Sequence, residues 1–402
     1  MQRRSRVPEN GKWETGNDEN RSSFSVFRFP LPVMRTAVVH DWLNGMRGGE
    51  KVLEAILPLV PEPTIFTLFH VPGSISREIE RYPIRASGLN RLPLARRHYR
   101  NYLPLYPRAI ESFDLSGFDL VVSSSHCVAK GAIARDGAPH LCYCHTPVRY
   151  AYEQFDVYFP RGATRFWSAK KFFIERLRRW DGATADRPTQ YLANSTAVAD
   201  RIRRHYRRDS TVIHPPVDVE FFQGSNAGRD GFLLAVGSLV PYKRYELAIE
   251  AARRVGRPLV VVGRGPEERR LRALASSSVR IVSDVGPEAL RELYRACHAF
   301  VQPGEEDFGI SLVEALACGA PVAALGRGGA RDTVRPEVNG FLCDQETAEA
   351  LAVAVERIGR ARFDYTAVRA TALPFARERF DREFDRAISQ VMQIRRDQES
   401  PS

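Results

Sequence analysis

Glu306 and Glu314, separated by seven residues, bracket an apolar run in the stretch EEDFGISLVEALACGAP, Glu305 to Pro321. The run is predicted to be a buried helix that begins near Ile310, after the loop GEEDFG, with Ser311 in its first turn. A helix N-terminus offers unpaired backbone N–H groups and the positive end of a dipole, which together make a seat for phosphate. Carboxylates accept hydrogen bonds from sugar hydroxyls but repel phosphate, so the two glutamates would flank bound phosphates without touching them. The plainer alternative is an exposed Glu306 and a Glu314 that caps the helix. Lys243 and Arg244, in VPYKR after the strand VGSL, are two cations able to neutralise a diphosphate leaving group. Taken alone, such a pair is more often solvated surface. His145 follows another strand, in YCHTP; a lone histidine there is either an acid–base group or a structural one.

The elements that must hold these residues read as two series of strands and helices. The first runs from the strand MRTAVVH (34–40) through the glycine loop DWLNGMRGG into a helix from Glu50, with Val52, Leu53, Ile56 and Leu57 on one face. Strands at 64–69, 118–125, 140–147, 190–196 and 211–218 follow. After Asp218 the pattern restarts with FLLAVGSL, RPLVVVGRGP, VRIVSDVG, AFVQPG and PVAALGRGG, separated by helices. Short apolar strands alternating with amphipathic helices indicate parallel-sheet α/β domains. The expected organisation is an N-terminal extension over 1–33, polar and disordered, then a domain over 34–216 and a second over 217–376. A helix over 377–395 with Phe380, Phe384, Ile388 and Val391 on one stripe must pack against something, and 396–402 is a tail. In open parallel sheets, ligands bind beyond the carboxyl ends of the strands. The polar loops holding His145, Lys243 and Glu306 all stand at such ends.

Composition sets outer bounds. The 402 residues are 44% hydrophobic and 27% charged, ordinary for a globular protein. No apolar run has the length of a membrane-spanning helix, and the N-terminus lacks the apolar core of a signal peptide. The cysteines form no CxxC pair and read as free thiols; no metal site and no cofactor motif is legible. A net charge of +11 points to an anionic partner. The basic residues form arginine clusters and match no nucleic-acid-binding motif, so nucleic acid is not the expected one.

The blocks VGSLVPYKRYELAIEA, GRGPE and PGEEDFGISLVEALACGAPVAA resemble the retaining glycosyltransferases of family 4, whose glutamate spacing is E-x7-E. HDWLNGMRGGEKVLE, SSSHCVAKG, YCHTPVRYAYE, ANSTAVADRIRRHY and VIHPPVD resemble bacterial polysaccharide-type members of that family. The resemblance runs from about Met34 to Phe384. It implies the GT-B fold: two Rossmann-like α/β domains facing across a cleft, with the C-terminal helix returning to the N-domain. It further implies that Glu306 holds the donor sugar, Glu314 the nucleotide ribose and Lys243, with Arg244, the diphosphate. Backbone groups at Gly309, Ile310, Ser311 and Leu312 would complete the phosphate seat. Gly45, Gly48 and Gly49 match the glycine loop that approaches the donor, or serve only a turn and a tight helix start. His145 matches the histidine beside the reacting sugar. Ser238 departs from the pattern, because many relatives carry arginine there; the diphosphate would then rest more heavily on Lys243 and Arg244.

The expected activity is transfer of a hexose, with retention and without metal, from a GDP- or UDP-sugar to a glycan acceptor, lipid-linked in polysaccharide or glycolipid synthesis. Resemblance favours mannose from GDP-mannose. A degenerate GT-B protein that binds nucleotide or glycan without turnover is the alternative, and Ser238 is the feature that favours it. In RFWSAKKFFIERLRRW (165–180), Phe166, Phe173 and Leu177 are expected to share a helical face rimmed by Lys170, Lys171, Arg178 and Arg179. That face is either core or a contact with an anionic membrane. The second alternative places a cytoplasmic protein peripherally on the inner face of the cell membrane.

Overall fold

The computed structural model describes residues 34–162, 166–224, 229, 231–283 and 285–399. The expected extension 1–33 and the last residues of the tail lie outside them. Among the described residues there are two parallel sheets. The first is built from β1 (Thr36–His40), β2 (Pro63–Thr67), β3 (Ile84–Ala86), β4 (Leu120–Ser125), β5 (His140–Cys144), β6 (Gln190–Ala193) and β7 (Ser210–Val212), in the order β3-β2-β1-β4-β5-β6-β7. The second comprises β8 (Leu233–Val236), β9 (Leu259–Val262), β10 (Val279–Val282), β11 (Ala299–Gln302), β12 (Val322–Leu325) and β13 (Gly340–Cys343), in the order β10-β9-β8-β11-β12-β13.

Side chains alternate across a strand, and both faces of each sheet are covered, so neighbouring residues enter different cores. Ala37 and Val39 pack on one side of the first sheet with Phe66 and Val121, whereas Val38 packs on the other with Ile65, Leu120 and Val122. The second sheet does the same: Leu234, Val260 and Phe300 enter one cluster, Leu233, Val261 and Ala299 the other. This two-sided burial is why the strands read as continuous apolar runs.

The C-terminal helix Arg377–Glu399 covers the first sheet. Phe380, Phe384, Ala387 and Val391 are buried with Val38, Leu53, Leu141 and Tyr143, and Ile388 packs at the edge of that cluster. The chain therefore crosses between the halves twice, and the crossings bind each other. Val217 N–H donates to Phe375 O at 2.9 Å, and Arg379 Nη2 donates to His214 O at 2.9 Å.

Three local expectations change. The first helix begins at Gly48, ahead of Glu50, because the Glu50 carboxylate accepts the Arg47 N–H at 3.0 Å and fixes the first turn. The strand expected over 211–218 spans only Ser210–Val212, since Pro215 and Pro216 cannot donate to a ladder. In the helix Trp167–Ala183, Leu177 turns inward with Ile174 into the core, while Phe166, Phe172 and Phe173 are exposed. Phe166, Phe173 and Leu177 thus do not share one environment.

Candidate active site

Strand order reverses between β1 and β4 in one sheet and between β8 and β11 in the other. At such a switch point the outgoing loops diverge and leave a crevice beyond the carboxyl ends. The loops after β1, β4 and β5 carry Asp41, His126 and His145; those after β8 and β11 carry Lys243 and Glu306.

On the N-terminal side, Ser124 Oγ lies 3.1 Å from His40 Nδ1 and 2.8 Å from His145 Nε2, joining the ends of β1, β4 and β5. Asp41 is fully buried and its carboxylate accepts four backbone N–H groups, those of His126, Cys127, Val128 and Ala129, at 2.7–2.9 Å. The loop after β4 is thereby wound around one carboxylate, which burial pushes above its usual range against these hydrogen bonds and which also lies 3.2 Å from His126 Nδ1. Burial, then the neighbouring His126, push His145 down to about 3, with Asp307 acting the other way. Burial and Arg47 push His126 down to about 4. Both rings are neutral at pH 7, able to donate from one nitrogen and accept at the other.

The helix Gly48–Ile56 starts beside these rings. A side chain at Gly49 would meet His40, His145 and His126 within about 4 Å, and a Cβ at Gly48 would lie 3.3 Å from Ile310 Cδ1 of the opposite half. Ile310 opens the helix Ile310–Ala317. Two helix N-termini, one from each half, therefore converge, and the positive ends of both dipoles face one space.

On the C-terminal side, Lys243 Nζ pairs with Glu306 Oε1 at 2.7 Å. Burial works against the Lys243 charge, but Glu306 overrides it and holds the ammonium well above its usual range. Gly237, at φ +145, leaves the room that the Lys243 ammonium occupies. Gly309, at φ +92, turns the chain into the Ile310–Ala317 helix, with Gln302 packed where a Cβ would stand. Glu314 is buried and does not cap that helix. Its Oε1 accepts from Lys51 Nζ and its Oε2 from the Tyr294 hydroxyl, each at 2.9 Å.

Two expected ligand groups are otherwise engaged. The Leu312 N–H donates to Gly309 O at 3.0 Å, closing the first turn, and is therefore not free for the phosphate it was expected to bind. Arg244, in left-handed conformation, is tied to Glu246 at 2.6 Å and Glu346 at 3.1 Å and stands apart from the Lys243–Glu306 pair. Conversely, Lys51, Tyr294, Asp41, Ser124 and His126 enter the site without having been singled out. Asp41 and Lys51 lie in HDWLNGMRGGEKVLE, and Ser124 and His126 in SSSHCVAKG, but nothing in those blocks set these side chains apart from their neighbours, and Tyr294 lies outside every quoted block. No group of three or more His, Cys, Asp or Glu residues among the described ones could hold a metal.

Residues 62–221 match the family model described as Glycosyltransferase Family 4, and residues 217–366 match that of Glycosyl transferases group 1. With two Rossmann-like halves facing across a cleft, the chain belongs to the GT-B glycosyltransferases. Among curated proteins it is 32% identical over 192 residues to the D-inositol 3-phosphate glycosyltransferase of Acidothermus cellulolyticus, covering 40% of this chain and 41% of that one. It is 37% identical over 125 residues to the GDP-mannose-dependent alpha-mannosyltransferase of Mycolicibacterium smegmatis, covering 31% and 33% of the two chains. The chain thus spans half or less of the length of the curated relatives it matches. The Anabaena protein Alr3699/HepE, solved in complex with UDP, superposes with a TM-score of 0.67 at 17% identity, over 89% of this chain and 100% of that one.

Proposed function

We propose that this chain is a retaining glycosyltransferase that moves a hexose from a nucleoside-diphosphate sugar to a glycan acceptor. The observation that carries the reading is the convergence of two helix N-termini, at Gly48 and Ile310, beside the half-buried Lys243–Glu306 pair. That geometry suits a diphosphate flanked by a carboxylate able to accept from sugar hydroxyls. As the acceptor oxygen bonds to the anomeric carbon, the bond from that carbon to the diphosphate oxygen breaks and its electron pair leaves with the diphosphate. The acceptor proton passes to the departing diphosphate on the same face. Lys243 and the Ile310 and Ser311 N–H groups stabilise the developing charge without reorganising. Lys51, on the Gly48–Ile56 helix and paired with Glu314 at 2.9 Å, is a second cation on the opposite half.

The relative named for GDP-mannose supports mannose as the sugar, whereas the superposed fold holds UDP. A panel of GDP- and UDP-hexoses, with chelator present, tests the reading through released nucleoside diphosphate. GDP-mannose is the expected substrate. Release from another donor moves the sugar and keeps the class; tight binding without release favours the degenerate alternative. A lipid-linked acceptor accords with the exposed Phe166, Phe172 and Phe173 beside Lys170 and Lys171, on a helix that packs next to the segment Tyr99–Leu105 with its exposed Leu105. No helix among the described residues is long and apolar enough to cross a membrane. Sedimentation with anionic vesicles should be lost when Lys170 and Lys171 become glutamine; indifference to lipid charge would remove the membrane contact.

A further inference from the structure

Glu306 is the middle one of three consecutive acids, Glu305, Glu306 and Asp307. Three carboxylates on one loop repel each other, and the nearby Lys243 can neutralise only one. The other two are engaged from the opposite half of the molecule. Arg201, on the helix Thr196–Tyr206 and only 5% exposed, binds both the Glu305 and the Asp307 carboxylates. Arg149, equally buried, donates Nη1 to the Glu305 carbonyl at 3.2 Å and lies 3.6 and 3.8 Å from the same two carboxylates. It also covers the ring of Tyr242, the residue before Lys243, at 5.2 Å. Asp332 of the C-terminal half in turn accepts the Thr196 N–H at 2.8 Å, at the start of the helix that carries Arg201.

We propose that Arg149 and Arg201 are positioning residues: by engaging Glu305 and Asp307 they leave Glu306 to Lys243, and they set that arrangement only when the two halves are closed. The role assigned to Glu306 rests on the glycosyltransferase reading; the fastening of the halves does not. The charges account for the coupling. With the cleft open, Arg149 loses its acidic partners and Arg201 keeps only Glu153 of its own half, at 3.4 Å, while the acidic loop has three like charges competing for one lysine. A guanidinium holds two carboxylates in one plane through its fork of N–H donors, which an ammonium cannot do.

The test uses the full chain with Arg149→Gln, Arg201→Gln and Arg201→Lys, and three readouts. Calorimetry with GDP and UDP reports the C-terminal site, turnover of the active donor reports Glu306, and small-angle X-ray scattering reports closure. Each glutamine variant should keep its nucleotide Kd within about threefold while kcat falls about 30-fold or more, the scale for truncating one partner of a buried charge pair. Its radius of gyration should rise. Arg201→Lys should recover only part of both, and it also serves if the glutamine variant fails to fold. Wild-type kcat and wild-type scattering in both glutamine variants would overturn the proposal. So would a loss of thermal stability with kcat unchanged, the mark of a purely structural contact. If the wild type turns over no donor, the role of Glu306 falls and scattering alone still decides the fastening.

Discussion

Replacing Glu306 removes the charge that holds Lys243. The two side chains are 13% and 18% exposed and their charged atoms lie 2.7 Å apart, so the pair belongs near the buried limit. Breaking a buried pair by removing one partner costs about 3–5 kcal/mol, against about 0–1 for an exposed pair. Glutamine keeps a neutral hydrogen bond worth about 1 kcal/mol, which places Glu306→Gln at about 3 kcal/mol and Glu306→Leu at about 4. At roughly 2–4 °C per kcal/mol for a domain of this size, Glu306→Gln should lower the melting point of the C-terminal half by about 6–12 °C. Lys243→Met in the Glu306→Leu background should return much of the loss, because the orphaned ammonium is gone; the cycle then shows coupling of about 2 kcal/mol. Thermal unfolding of the wild type, Glu306→Gln, Glu306→Leu, Lys243→Met and the double variant supplies the numbers, and steady-state assays should show Glu306→Gln cutting turnover more than nucleotide affinity. Additive losses in the cycle, or wild-type melting and turnover in Glu306→Gln, would refute the reasoning.

Three further outcomes follow from the same geometry. Glu314→Ala unpairs Lys51 and the Tyr294 hydroxyl, so calorimetry should show nucleoside diphosphate binding weakened about tenfold or more, with kcat less affected. His40, His140 and His145 are each pushed down to about 3 and His126 to about 4, burial being the first cause in every case. Unfolded histidine takes up its proton near pH 6.5, so stability is fully present above that value and drains away as pH falls toward 4, by up to about 1.4 kcal/mol per pH unit per histidine. Melting curves between pH 4 and 8 should show this, and His140→Gln should flatten the acid limb. Lys130→Met leaves the Asp181 carboxylate, fully buried beside Tyr152 and Tyr206, without its cation. Its denaturant midpoint should reflect a loss of about 3 kcal/mol, and an unchanged midpoint would show that the tyrosine hydroxyls suffice.

The sequence made the strands and their grouping legible because each sheet is buried on both faces, which writes unbroken apolar runs such as TAVVH and LVVV. That the last helix packs against the body was equally plain from the stripe Phe380, Phe384, Ile388 and Val391, whereas its return to the first domain came only with the family resemblance. Glu306 and Lys243 were found separately, and their pairing across about sixty residues of chain was not foreseeable from either neighbourhood. Arg149, Arg201 and Lys51 stayed hidden for a related reason. In a chain with this many arginines, the ones that matter are those whose partners the fold brings from more than a hundred residues away. The aromatic–basic helix could not be resolved from its pattern either, because Leu177 and Phe173 lie on one stretch yet face core and solvent respectively.

The central claim is that this cleft transfers a sugar with its anomeric configuration kept, without metal. Proton NMR of the product first formed from an α-configured nucleotide sugar, in the presence of chelator, tests it most directly. An α product that forms with wild-type protein and is suppressed in Glu306→Gln is the predicted result. A β product, or turnover that appears only when a divalent cation is added, would contradict it.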